Sequence, residues 1–258
     1  MIEEIKGIVE EASKILLDYY HKGFLSVDKK GNLDYVSEAD RAAEKFLVER
    51  LKESFPDMGI IAEEGAHVSG EKIFLIDPID GTNNFIHHIP YFCISVSLVD
   101  GDNILLGVIY DPIRDEMFHA EKGRGAYLNN RRIEVSGLRY PSRAVFSFGF
   151  PPPAYRMKKE FILLLEELVG DVNAVRWLGA AALDLAYVAA GRIDGSAQFG
   201  LKPWDVGAGA LLIQEAGGII TDLKGGGDVL SGYVVAGNKN IYPFLSEKIK
   251  RRFSRFLR

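Results

Sequence analysis

The segment Ile73-Phe74-Leu75-Ile76-Asp77-Pro78-Ile79-Asp80-Gly81-Thr82 constrains the chain more than any other. Its first four residues form an apolar run of the kind that becomes a buried strand. A strand has no structural need of the ending that follows. Pro78 lacks an amide donor and is expected to end the ladder, Gly81 allows close backbone approach, and Asp77 and Asp80 are left projecting from one turn. Two anionic side chains so close repel unless something positive lies between them. A hard divalent ion such as Mg²⁺ takes carboxylate, carbonyl and hydroxyl oxygens, and Asp77, Asp80, the Ile79 carbonyl and Thr82 can supply that set. The structural alternative is an Asx-turn that uses both acids as backbone caps.

Two other segments bear on that choice. In Ile60-Ile61-Ala62-Glu63-Glu64-Gly65 another apolar strand ends on acids, which makes Glu63 a candidate third ligand against the alternative of a solvated loop pair. Lys202-Pro203-Trp204-Asp205-Val206-Gly207-Ala208-Gly209-Ala210 puts an acid and a bulky aromatic at the start of a helix full of small residues. Asp205 could serve there simply as an N-cap. The helix is expected to run through Leu211, Leu212 and Ile213 to a stop at Gly217-Gly218.

The rest of the chain divides into two halves. Ile5, Ile8, Val9, Ala12, Leu16 and Tyr19 have helical spacing, as do Ala42, Ala43, Phe46, Leu47 and Leu51. Ser37 as N-cap of the second helix places Asp40 at N3, in the first turn, where a carboxylate meets exposed N–H groups. From Gly59 the pattern turns strand-like at 60–62, 73–76, 92–99, 104–110 and 117–120, with a turn at Asn129-Asn130, and mostly antiparallel sheet is expected. After Pro151-Pro152-Pro153 the chain alternates helices (about 155–168, 180–190 and 205–216) with strands (174–176, 193–197, 219–221 and 233–236). An α+β half over 1–148 and an α/β half over 149–258, forming one compact unit, would place a site in the crevice between them.

Composition narrows the function classes. With 47% apolar residues and 26% charged, the 258 residues can build a large core, and disorder and collagen-like repeats are excluded. No apolar run approaches the roughly 18 residues of a membrane span. Met1-Ile2-Glu3-Glu4-Ile5 is acidic where a secretory signal would be basic, so a cytoplasmic protein with no membrane contact is expected. Cys93 has no second thiol for a disulfide or a metal site and reads as core. Six of the 31 cations lie in the last eleven residues, so the net charge of −5 becomes −11 over the first 247. An acidic body argues against nucleic-acid binding. Leu245, Ile249, Phe253 and Leu257 recur at i+4, which predicts a closing amphipathic helix whose cations face its own C-terminal dipole.

In these motifs the sequence resembles the inositol monophosphatase family of Mg²⁺-dependent, lithium-sensitive phosphomonoesterases. The resemblance runs over nearly the whole chain. It rests on Asp40 at the start of the second helix, Ala62-Glu63-Glu64, Asp77 through Phe85 (Asp-Pro-Ile-Asp-Gly-Thr-x-Asn-Phe) and Trp204-Asp205. It implies an alternating α-β-α-β-α layered sandwich, a homodimer, and two or three Mg²⁺ ions. By the resemblance Glu63, Asp77, the Ile79 carbonyl and Thr82 hold one ion, Asp77, Asp80 and Asp205 a second, and Glu63 with Glu64 or water a weaker third. It further implies that Asp40, Thr82 and Glu63 are the catalytic groups, with Thr82 and Asp40 the pair that accepts the proton of the attacking water and no covalent phosphoenzyme. Gly81, Thr82, Ala181, Gln198, Lys202 and Asp205 correspond to substrate contacts, and Lys29 to a basic residue near the metal loop.

Some positions depart from the family pattern. Ala62 replaces a common Gly, His88 stands where a Gly often precedes the turn, and Gly207-Ala208 inverts a common order; none of these removes a ligand. Gln198 and Lys202 stand where the animal enzymes have Glu and His, which brings fructose-1,6-bisphosphate in beside inositol-1-phosphate as a substrate. A 3′-phosphoadenosine 5′-phosphate phosphatase is disfavoured for want of the insertions such relatives carry. The rival from another class is a non-catalytic interaction protein of the same fold.

Overall fold

In the computed structural model, residues 1–22, 27–31 and 34–256 are described, with side chains for all of these except 27–31, 34–36 and 153. The apolar spacing of the N-terminus gives α1 (Ile2–Lys22), which buries Ile5, Ile8, Val9, Ala12 and Leu16 on one face. A hairpin that the sequence did not announce follows, β1 (Val27–Gly31) and β2 (Asp34–Ser37), antiparallel to one another. Helix α2 (Glu38–Ser54) begins as its capping residues require: the Ser37 hydroxyl accepts the Asp40 N–H, and the Asp40 carboxylate accepts the Ser37 N–H at 2.8 Å.

Next come β3 (Gly59–Ala62), β4 (His67–Val68), β5 (Lys72–Asp80) and the short helix α3 (Thr82–Ile86). They are followed by β6 (Cys93–Asp100), β7 (Asn103–Asp111), β8 (Glu116–Glu121), β9 (Ala126–Leu128) and β10 (Arg131–Ile133). These strands make an eight-stranded sheet in the order β10-β9-β8-β7-β6-β5-β3-β4. The expected antiparallel pairing holds except between β3 and β5, which are parallel. Asn129 and Asn130, at φ 45° and 64°, make the two-residue turn between β9 and β10. Pro78 does not end β5. Asp77 lies opposite Ser95 and Asp80 opposite Cys93, so three steps on β5 match two on β6. The proline sits in this bulge, where no ladder amide is required, and pairing resumes beyond it.

The second half holds β11 (Val145–Gly149), α4 (Lys158–Leu168), β12 (Ala174–Arg176), α5 (Ala181–Ala189) and β13 (Gly195–Gln198). It closes with α6 (Pro203–Glu215), β14 (Ile219–Asp222), β15 (Val234–Gly237) and α7 (Tyr242–Phe253). The helix expected from 155 starts at Lys158, because a 3-10 turn over Pro152–Met157, with Pro151 as its N-cap, precedes it. The five-stranded sheet, β12-β11-β13-β15-β14, is mixed: β11 runs parallel to β12 and β13, and β15 antiparallel to both its neighbours.

The layers stack as α1 and α2, the eight-stranded sheet, α5 and α6, the five-stranded sheet, then α4 and α7. A helix between two sheets has no solvent face, and every residue of α6 from Val206 to Ile213 is buried. Its small residues let both neighbours approach. A Cβ added at Gly107 of β7 would meet the Ala208 Cα at 2.7 Å, and one added at Gly209 would meet the Leu185 Cβ at 2.5 Å. Helix α7 buries Leu245, Ile249 and Phe253 as expected, while Leu257 lies outside the described residues. Its cations, with Arg255 in the 3-10 turn that follows, do more than face the helix dipole. Lys248 pairs with Asp171, Arg251 and Arg252 with Glu167, and Arg255 with Glu160, which ties the last layer together through α4 and the loop after it.

Candidate active site

The bulge at the end of β5 turns Asp77 and Asp80 away from the ladder. Each carboxylate also serves the backbone, so the Asx-turn and the acidic cluster are one arrangement. Asp77 accepts the Ile79 N–H at 3.0 Å. Asp80 accepts the Ala181 and Ala182 N–H groups at 3.0 and 2.7 Å and so completes the N-terminus of α5. The Cys93 thiol, buried as expected, lies 3.6 Å from Asp80 Oδ2 and donates to it. Asp205 is not the N-cap of α6. Lys202 occupies that position, Pro203 follows it, and Asp205 at N3 accepts the Lys202 N–H at 2.8 Å.

Two strands and a helix from different layers therefore deliver acids to one place. Ligand-capable oxygens of Glu63, Asp77 and Asp205 all lie within 4.8 Å of one another. Burial first, then Glu63, Asp80 and Asp205, push the Asp77 carboxyl well above the usual carboxylate range. Burial, then Asp80, raise Asp205 in the same way. Asp80 is pushed up to about 6 by burial, against the opposing pull of the Ala182 and Ala181 amides. A set of oxygen donors that resists ionising together fits a hard divalent cation, which restores the charge balance that burial removes.

Thr82 stands beside this cluster. Its hydroxyl lies 3.2 Å from Asp40 Oδ1 and 3.1 Å from the Ile79 carbonyl, so the two oxygens compete for its single proton. Gly81 reaches φ +97° to start α3 here, in a space where a Cβ would come within 3.1 Å of the Ala180 Cβ and the Tyr91 carbonyl. His88 is also left-handed, with φ +55°.

The acids open into a cavity of about 450 Å³. Glu63, Asp77, Ile79, Asp80, Gly81, Thr82, Ala181, Gln198 and Asp205 line it, and so do Phe148, Gly149, Phe150 and Pro151. Of the segment 148–153, to which the sequence assigned no role, residues 148–152 thus line the site. Two expected substrate contacts, Gln198 and Lys202, differ in their placement. Gln198 is fully buried, its amide donating to Asp184 Oδ2 at 3.2 Å and Ser196 Oγ at 2.9 Å, while its Oε1 has no hydrogen-bond partner. Lys202 is exposed and is not among the lining residues. The Ala181 N–H is already engaged by Asp80. The side chain of Lys29 lies outside the described residues.

Sequence reasoning missed Asp184. It is 1% exposed, accepts the Tyr91 hydroxyl at 2.8 Å, and burial pushes its carboxyl up to about 7. An acid inside the apolar helix Ala180-Ala181-Ala182-Leu183-Asp184-Leu185-Ala186 is the signal that marks it, since such a residue is rarely buried without a partner.

Known proteins share this fold. The profile of the inositol monophosphatase family matches residues 1–253. An inositol-1-monophosphatase of Mesorhizobium japonicum is 44% identical over 254 residues, which covers 97% of this chain and 96% of the relative. The Nus factor SuhB of Pseudomonas aeruginosa is 42% identical over 234 residues, 88% and 86% of the two chains. The crystal structure of the extragenic suppressor protein suhB from Bartonella henselae matches with a TM-score of 0.92 at 39% identity, covering 97% of this chain and 98% of that one. Fold, acid cluster and relatives together define a phosphatase hydrolase. Within that class, the chain belongs to the inositol monophosphatase family.

Proposed function

We propose that the protein is a Mg²⁺-dependent phosphomonoesterase that hydrolyses inositol-1-phosphate by direct attack of water. The observation that carries this reading is the Glu63, Asp77 and Asp205 cluster with the Thr82–Asp40 pair beside it. Glu63, Asp77, the Ile79 carbonyl and Thr82 would hold one cation, Asp77, Asp80 and Asp205 a second, and Glu63 with Glu64 a weaker third. Bound there, Mg²⁺ supplies Lewis-acid charge against the ester oxygens and lowers the pKa of water.

The chain's own groups do the rest. Thr82 receives a proton from the attacking water and passes its hydroxyl proton to Asp40, whose other carboxylate oxygen stays on the Ser37 N–H. The Gly81 and Thr82 amides would offer donors to the phosphate, and Ala181 and Gln198, which line the cavity, would bound the alcohol moiety. The family match supports a homodimeric, lithium-sensitive enzyme of the cytoplasm, and among the described residues no helix is long and apolar enough to cross a membrane.

A second reading, fructose-1,6-bisphosphate hydrolysis at the same site, is favoured by one observation: the wall residue 198 is a neutral Gln, which does not repel a second phosphate. The name of the Nus factor relative raises the rival of an interaction protein. The complete acid set and the Thr82–Asp40 pair speak against a chain that only scaffolds. The test is release of inorganic phosphate from inositol-1-phosphate, fructose-1,6-bisphosphate, glycerol-2-phosphate and a nucleotide, with Mg²⁺ and with EDTA. Mg²⁺-dependent release with inositol-1-phosphate the best substrate is expected, and no release from any ester would overturn the reading.

A further inference from the structure

We propose that Glu44 is a positioning residue for the acid cluster, holding the Glu63 loop in the shape that sets the site's affinity for a divalent cation. The inference rests on the reading of Glu63 as a metal ligand given above. Asp40 and Glu44 lie one turn apart on α2 and are both buried. Asp40 reaches Thr82, whereas Glu44 reaches the backbone of the loop between β3 and β4. Glu44 Oε2 accepts the Glu64 N–H at 2.6 Å, and its Oε1 accepts the Ala66 N–H at 3.1 Å.

Glu63 is therefore pinned from both sides. Its own N–H goes to the Ile76 carbonyl at 3.1 Å, which fixes it to β5, and the next amide goes to Glu44. The Ala62 N–H and the Ala66 carbonyl close the loop at 2.9 Å. Two amides pointing at one side chain need an acceptor with two free oxygens. A carboxylate meets that need and a carboxamide does not, because its NH₂ would face one of the N–H groups. Groups that orient metal ligands in this way change metal affinity by about 10- to 100-fold when replaced.

The test measures binding of Mg²⁺ alone to metal-free protein, by calorimetry and by the Mg²⁺-dependent rise in melting temperature, with no substrate present. Glu44→Gln is expected to weaken Mg²⁺ about tenfold and to speed hydrogen exchange at the Glu64 and Ala66 amides while the rest of the chain keeps its protection. Glu44→Asp keeps the charge but is too short to reach both amides, so it should weaken Mg²⁺ as well; undiminished affinity in Glu44→Asp would mean that only the charge matters and would overturn the proposal. Should Glu44→Gln not fold, Glu44→Asp carries the same test. Because Glu44 acts through Glu63, its replacement should have no further effect in a Glu63→Gln background. An equal loss in both backgrounds, or none in the parent, would also overturn it. If Glu63→Gln itself leaves Mg²⁺ affinity unchanged, the reading of the site fails instead.

Discussion

Asp40 uses its two oxygens for two purposes. One closes the capping box of α2 and the other lies 3.2 Å from the Thr82 hydroxyl, so the helix cap holds the proton acceptor in place. Thr82→Ala is expected to lower kcat by roughly 10²- to 10⁴-fold with little change in KM, since general-base assistance is lost while phosphate can still meet backbone amides. Thr82→Ser should keep more of the rate. Steady-state kinetics on inositol-1-phosphate checks both, and an Asp40→Asn enzyme as active as the parent would reduce Asp40 to a cap. Asp184 acts on stability instead. Its carboxyl titrates near 3.8 when unfolded and is pushed up to about 7 in the fold, so its neutral form favours folding at low pH, and that contribution is lost as pH rises from about 4 to 7. Above pH 7 the buried charge costs of order a few kcal/mol. Asp184→Asn should therefore gain stability over the parent as pH rises from 4 to 8, measured by urea unfolding in EDTA. Parallel pH profiles would show that the Tyr91 and Gln198 hydrogen bonds fully offset the burial.

Among the elements, α6 fixes where Asp205 sits, and the close approach of β7 fixes α6. Gly107→Ala would set a methyl against the backbone at Ala208, where no side chain can rotate away. A loss of about 1–3 kcal/mol is expected, together with weaker Mg²⁺ binding as Asp205 moves off the cluster. Unchanged Mg²⁺ affinity in a destabilised Gly107→Ala protein would separate the packing from the site. The elements themselves were largely legible in the residues, because α1, α2 and the central strands carry plain periodicity, and the acids stand out at the ends of apolar runs. What was not legible depends on partners brought in from afar. Val27-Asp28-Lys29-Lys30-Gly31 has no apolar alternation to announce a strand. Pro78 reads as a terminator until β6 supplies the bulge that accommodates it. The hydrogen bond that holds the Gln198 side chain goes to Asp184, fourteen positions away, and chain order does not announce it. Likewise the cations of α7 read as serving their own helix dipole until α4 and the loop after it bring up their acids.

At the scale of the whole molecule, the candidate site joins the two sheets. Asp77 and Asp80 come from the larger sheet, Asp205 from a helix packed on both, and one apolar core runs unbroken from Leu75 and Phe118 through Leu183 and Leu211 to Val234. A cation bound there acts as a crosslink between layers, so Mg²⁺ at about 100 times its Kd should add about 2.7 kcal/mol to stability. For a chain of this length that is a rise in melting temperature of roughly 5–10 °C. The rise should be larger at pH 8 than at pH 5, since acids held above their usual range must release protons before they can bind a cation. Differential scanning calorimetry after EDTA stripping checks this, and equal melting curves with and without Mg²⁺ would remove the cation from the site.

The sharing of α5 and α6 between two sheets also bears on how the chain is made. The last strand of the larger sheet ends at Ile133, but the helices that cover its second face are complete only at Glu215. About 80 residues of synthesis separate the two, which at roughly 5–20 residues per second leaves that apolar face open for about 4–16 s on the ribosome. During this interval the nascent N-terminal half offers an uncovered sheet to chaperones and to neighbouring chains, and it can close only once the C-terminal half has emerged.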